Sequence, residues 1–196
     1  MGKMNVNDKI HPEGLVEIFV YHDKKLREYI KEKNIILYQG NAQMITTVSQ
    51  TTPSLFQAVI NRMCIGDQGA TPLNPQVPKV PVQTMTGLFN EIYREDIQAK
   101  TITTSGSTNS CQFVATFDAS NIPLSAYSNP ATPQTNEVGL VFIQPGAPAG
   151  LVRSPVIAPA APPSDEVVAS IRTFKSIPFD AANDVQITVR YTLFMM

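Results

Sequence analysis

Two histidines, His11 and His22, and two cysteines, Cys64 and Cys111, are the side chains best suited to proton transfer, metal binding or nucleophilic attack. Neither histidine has the partners such chemistry needs. His11 falls in a polar opening stretch and His22 heads the polar run His22-Asp23-Lys24-Lys25, so both read as surface residues. No Cys/His/Asp/Glu grouping has metal-ligand spacing. The cysteines sit in apolar surroundings, Met63-Cys64-Ile65 and Cys111-Gln112-Phe113, with no histidine close in sequence. Two reduced, buried thiols are the favoured reading. A single disulfide between them stays open, because spacing along the chain does not give the Cα separation.

Gly66-Asp67-Gln68-Gly69 has the look of a phosphate-cradling loop but lacks the Lys-Ser/Thr of a P-loop and the third glycine of a dinucleotide loop. Gly66, Asp67 and Gly69 are better explained as a tight turn that follows a strand. Glu91, Glu95 and Asp96 flank Arg94, an arrangement that serves a solvated face or an ion pair as readily as paired catalytic carboxylates. The inventory yields no triad, no metal set and no carboxylate pair. The expectation is therefore a protein that is not an enzyme and needs no cofactor and no metal.

Charge and composition narrow the partners. The net charge is −1, the pI about 6.1, and charged residues make up only 16% of the chain. No basic field exists to gather nucleic acid or an anionic membrane. Lys24, Lys25, Arg27, Lys31 and Lys33 do cluster, but Asp23, Glu28 and Glu32 interrupt them, as on a solvated face. The first ten residues, with Lys3, Asn5, Asn7 and Asp8, show no leader pattern, and no apolar run approaches a membrane span. The expectation is assembly in a cytoplasm, with no nucleic-acid or membrane partner.

The elements that must position these residues read mainly as strands. At 196 residues the chain suits one domain. Residues 1–13 read as an arm and residues 14–196 as a single antiparallel β-sandwich domain, with a Pro-rich loop or arm at 144–163. A strand through Leu15 to Tyr21, a polar turn and a second strand through Leu26 to Tyr38 form a hairpin. Ala42 to Ser49 has helical spacing. Pro53-Ser54 can open a second helical piece through Leu55, Phe56, Val59, Ile60 and Met63. Met63-Cys64-Ile65 is a short strand. Residues 71–86 carry Pro72, Pro75, Pro78 and Pro81 and read as a loop. Strands follow at 100–104, Cys111–Phe117, Val138–Phe142 and Val167–Phe174, with a bend at Ile177-Pro178-Phe179. Val185, Ile187, Val189, Tyr191 and Leu193 give the cleanest alternation.

Five ordered segments resemble the phage tail-fibre and collar-type attachment domains. They are Asn61-Arg62-Met63-Cys64-Ile65-Gly66-Asp67-Gln68-Gly69-Ala70, Leu88-Phe89-Asn90-Glu91-Ile92-Tyr93-Arg94, Cys111-Gln112-Phe113-Val114-Ala115-Thr116-Phe117, Asn136-Glu137-Val138-Gly139-Leu140-Val141, and Arg172-Thr173-Phe174-Lys175-Ser176-Ile177-Pro178-Phe179 with the strand 186–194 behind it. The likeness spans roughly residues 15–196. It implies a small β-rich virion protein that self-associates and docks on a tail, neck, collar, baseplate or capsid. Members of that kind continue into a long shaft. A chain of this length is expected to be a short component that joins other virion proteins, or alternatively a capsid decoration protein.

From a different class, a carbohydrate-binding β-sandwich module is the alternative, though the chain has no Trp for an aromatic platform. Within the fold, Glu91, Arg94, Glu137 and Arg172 are expected to form buried charge pairs, since apolar strands flank all four.

Overall fold

The computed structural model describes residues 13–49, 59–106, 108–143 and 166–195. Of the arm expected at 1–13, residues 1–12 lie outside these residues and Glu13 already opens a strand; the Pro-rich stretch 144–163 lies outside them as well. β1 (Glu13–His22) and β2 (Lys25–Lys33) form a hairpin, and the short β3 (Ile35–Ile36) leads into helix α1 (Tyr38–Ser49). β4 (Val59–Gly66) is followed by the small hairpin β5 (Ala70–Thr71) and β6 (Asn74–Pro78), then by β7 (Glu91–Asp96). β8 (Ala99–Ser105), β9 (Thr108–Asp118), β10 (Gln134–Ile143), β11 (Glu166–Pro178) and β12 (Val185–Met195) complete the chain.

The fold is an antiparallel β-sandwich. One sheet has the order β2-β1-β12-β9-β8, and the other the order β3-β11-β10-β4-β7. Alternation explains the first sheet. Val16, Ile18 and Val20 of β1, Phe113, Ala115 and Phe117 of β9, and Ile187, Val189 and Tyr191 of β12 all point into one buried layer. They meet Met63, Ile65, Val138, Leu140, Phe142 and Phe174 from the second sheet. Each such side chain contributes about 1.5–3 kcal/mol on burial.

The second sheet is covered on both faces. Leu37, Cys64, Val141, Val168 and Ile171 form a separate apolar cluster, with Met85 and Leu88 packed on it from the segment before β7. α1 packs against β11. Its Gly40 is required by close approach, because a Cβ there would stand 2.2 Å from the carbonyl oxygen of Ala169 on β11. Gln39 Nε2 donates to the carbonyls of Val168 at 2.8 Å and Thr86 at 3.0 Å, tying helix, sheet and loop. β10 is accordingly buried along nearly its whole length.

Four local expectations are corrected. Val59, Ile60 and Met63 belong to strand β4, not to a helix. A strand buried on both faces shows no clean alternation, so its apolar residues also fit helical spacing. The second strand of the first hairpin stops at Lys33, and Tyr38 already starts α1. The break at Asn34 lets the chain cross from one sheet to the other. Residues 71–86 are not all loop: β5 and β6 pair through Ala70 and Pro78 and through Thr71 and Asn74. β11 also runs on through Pro178 instead of bending there.

Candidate functional site

The outer side of the second sheet carries a buried polar knot. Glu137 supplies its centre, held by β10 at a point where the pairing with β11 shifts register. Its Oε1 accepts the backbone N–H groups of Gln68 at 3.2 Å and Asn90 at 2.9 Å, and Oε2 accepts that of Phe89 at 2.7 Å. Next to it, Asn136 Oδ1 accepts the Gly69 N–H at 2.5 Å. Asn136 Nδ2 donates to the Asp67 carbonyl at 3.1 Å and to Ser176 Oγ at 3.0 Å. Thr135 Oγ1 donates to the Gly66 carbonyl at 2.9 Å. Three successive polar residues of one strand thus satisfy the backbone of the turn after β4.

Asp67 extends the knot outward. Its Oδ2 accepts the backbone N–H and the hydroxyl of Ser128 at 2.6 Å and 2.7 Å, and its Oδ1 accepts Asn90 Nδ2 at 2.6 Å. The knot therefore gathers the turn 66–69, the segment 88–90 and the loop before β10. Gly66 and Gly69 serve it by their lack of a side chain. A Cβ on Gly66 would lie 2.3 Å from the Asn90 carbonyl oxygen, and one on Gly69 would lie 2.5 Å from that of Asn136. Neither glycine has positive φ, so close approach is the reason for both.

Burial pushes the Glu137 carboxyl up to about 7, against the three backbone N–H groups that favour its charged form, and the Asp67 charge pushes it the same way. A cleft of about 350 Å³ opens beside the knot, lined among others by Asp67, Gln68, Lys79, Ser128, Asn136 and Ser176. Lys79 Nζ stands 4.7 Å from the ring centroid of Phe89, and its carbonyl accepts Thr173 Oγ1 at 2.6 Å. Chemically, these contacts lock three loops onto one strand.

The four charges expected to pair separate into three arrangements. Glu91 and Arg94 do pair, both well buried on β7, with Nη2 donating to Oε2 at 2.9 Å and Nε donating to Oε1. Arg172 instead meets Glu32 of β2 at 2.8 Å, with both side chains partly exposed. Beside it Lys175 meets Glu28 at 2.6 Å, so two ion pairs run between β11 and β2 along one flank of the sandwich. Glu137 takes the backbone amides of Gln68, Phe89 and Asn90.

Cys64 and Cys111 are free thiols on different sheets, and burial raises both. His22 ends β1 opposite Val185. His11 lies outside the described residues. Among the described residues no group of three or more His, Cys, Asp or Glu side chains could hold a metal ion. No described helix is long and apolar enough to cross a membrane.

A second polar tie, absent from the sequence reading, links the two sheets through the core. Tyr191 of β12 shares a hydrogen bond with Ser170 of β11, and Asn34 Nδ2 donates to Tyr191 Oη at 2.6 Å. Ser170 Oγ donates to the Ile35 carbonyl at 2.9 Å. Burial drives the Tyr191 hydroxyl well above its ordinary value. Polar residues inside an otherwise apolar strand are the signal that marks both this tie and the knot. Comparison with protein-family models finds no match, and comparison with curated proteins finds none either.

Proposed function

We propose that the chain is a non-enzymatic structural component of a bacteriophage virion: a tail, neck or collar, or baseplate protein that docks or anchors fibres through subunit contacts. A sandwich fold alone does not select that role. What supports the reading is where the resembling segments meet. Gly66–Gly69, Asn90, Asn136-Glu137 and Thr173 come from four of the five segments, and all are joined through the knot or the loops it holds. The fifth, at Cys111–Phe117, supplies the facing core layer. The ordered motifs thus describe one physical unit, a loop-locking centre on a two-sheet body.

The test is mass spectrometry of purified particles together with light scattering of the isolated protein. The expected outcome is a fixed stoichiometry to a tail protein and a homo-oligomer in solution. A capsid decoration protein would track the capsid protein in copy number instead. Absence from the particles would end the reading.

A further inference from the structure

The two flanks of the first sheet are treated differently. At β2 the inner-facing Glu28 and Glu32 are tied to Lys175 and Arg172 of the second sheet. At the opposite flank β8 has β9 as its one ladder partner among the described residues. All seven of its residues are exposed. Ile102 pairs with Cys111, on the same side as the core residues Phe113 and Ala115, yet it is 78% exposed. β8 therefore projects past the cover of the second sheet.

A strand in that position leaves alternate N–H and C=O groups turned away from its partner, a template for another strand. Such edges are ordinarily blunted by charge, and β8 has little. Its one ionic residue, Lys100, donates from Nζ to Asn61 Oδ1 of β4 at 2.9 Å, back onto its own chain.

We propose that β8 pairs antiparallel with β8 of a second copy, about a twofold axis through Ile102, joining two five-stranded sheets into one. The register follows from the sequence of the strand, Ala-Lys-Thr-Ile-Thr-Thr-Ser. Centred on Ile102, it sets Ile102 opposite Ile102 of the second copy, Thr101 opposite Thr103, and Lys100 opposite Thr104. Apolar and Thr–Thr cross-strand pairs stabilise such a ladder, and no like charges face each other. The same operation fails at the other long edge. Centred on Tyr29, β2 would set Lys25 opposite Lys33 and Arg27 opposite Lys31 of the second copy. Centred on Tyr93, β7 would set Glu91 opposite Glu95 of the second copy. β8 is the edge whose own sequence is self-complementary.

This deepens the assembly reading by naming one contact, and the two fail separately. Sedimentation velocity of the full chain, up to about 1 mM, is compared with that of Ile102→Lys. The exposed position leaves folding intact, checked by an unchanged far-ultraviolet circular dichroism spectrum. The expected result is that Ile102→Lys halves the mass of the wild-type species. In a Cys111→Ser background, Ile102→Cys should give a disulfide-linked dimer on mild oxidation, and Lys25→Cys should not. A wild-type monomer throughout the range, or an oligomer whose mass ignores Ile102→Lys, overturns the β8 contact. Particles that contain the protein while it behaves so would remove this contact and leave the virion reading standing.

Discussion

Glu137 Oε1 lies 2.9 Å from the backbone nitrogen of Asn90, and through that bond the middle of β10 holds the entry to β7. The relationship has a pH consequence. The folded-state pKa of Glu137, about 7, lies above its ordinary value of 4.5. The folded protein then binds a proton that the unfolded chain releases. The associated stability is fully present below pH 4.5 and is lost as pH rises through 7, on the order of 3 kcal/mol in all. Glu137→Gln should flatten that part of the profile. It should also cost about 1–3 kcal/mol at low pH, because the amide turns a donor toward one of the three N–H groups. Urea titrations of both proteins between pH 4 and 9 would show it. Parallel profiles for the two would refute the assignment.

The charge pairs differ in what their loss should do. Arg94 and Glu91 are well buried, so Arg94→Ala strands a carboxylate and is expected to destabilise by about 3–5 kcal/mol. Arg172 and Glu32 are partly solvated, and Arg172→Ala is expected to cost about 0–1 kcal/mol. Thermal melts of the two variants side by side should separate them by many degrees. Equal losses would contradict the burial difference on which the contrast rests.

How much of this was legible depends on the range of the interaction. β12 announces itself, because one covered face writes apolar residues at every second position. β4 does not, since Met85 and Leu88 pack on the cluster that holds its Cys64, and a second covered face erases the alternation. The Glu91–Arg94 pair is local, three residues apart, and sequence proximity finds it. Arg172 finds Glu32 across 140 positions, a choice made by how the two sheets stack. The turn Gly66–Gly69 was legible as a turn. The reason for its glycines was not, because the atoms that crowd them come from Asn90, Asn136 and Glu137.

The tie between sheets predicts a cost for a single oxygen. Tyr191→Phe keeps the ring in the core but removes the hydroxyl that meets Ser170 and Asn34. Ser170 retains the Ile35 carbonyl as acceptor and Asn34 Nδ2 retains Ser170 Oγ, so each neighbour loses one bond and neither is left without a partner. The expected loss is about 1–2 kcal/mol. Cys64, on the same sheet as Ser170, offers a reporter. Its thiol is buried and raised, so a thiol reagent should label Cys111 first and Cys64 only on opening of the second sheet. Tyr191→Phe should speed the labelling of Cys64. Unchanged labelling with an unchanged denaturation midpoint would mean the tie carries no stability.

The first hairpin invites a change in the opposite direction. His22 pairs with Lys25, so Asp23 and Lys24 form a two-residue loop, and both have positive φ, 49° and 61°. That is the geometry of a type I′ turn, whose twist matches the flanking strands and which Asn-Gly or Asp-Gly fills without strain. Asp23 suits it; Lys24 carries a Cβ in the left-handed region. Lys24→Gly removes that strain while leaving the exposed surface and the β1–β2 register as they are. Glycine also frees the unfolded chain, which offsets part of the gain. The net expectation is a stabilisation of about 0.5–1 kcal/mol. Lys24→Val, branched at a position that rejects branching, should lower stability instead. A higher denaturation midpoint for glycine and a lower one for valine would establish the turn type. A loss with glycine would mean that the lysine stem packs on the hairpin more than its backbone is strained.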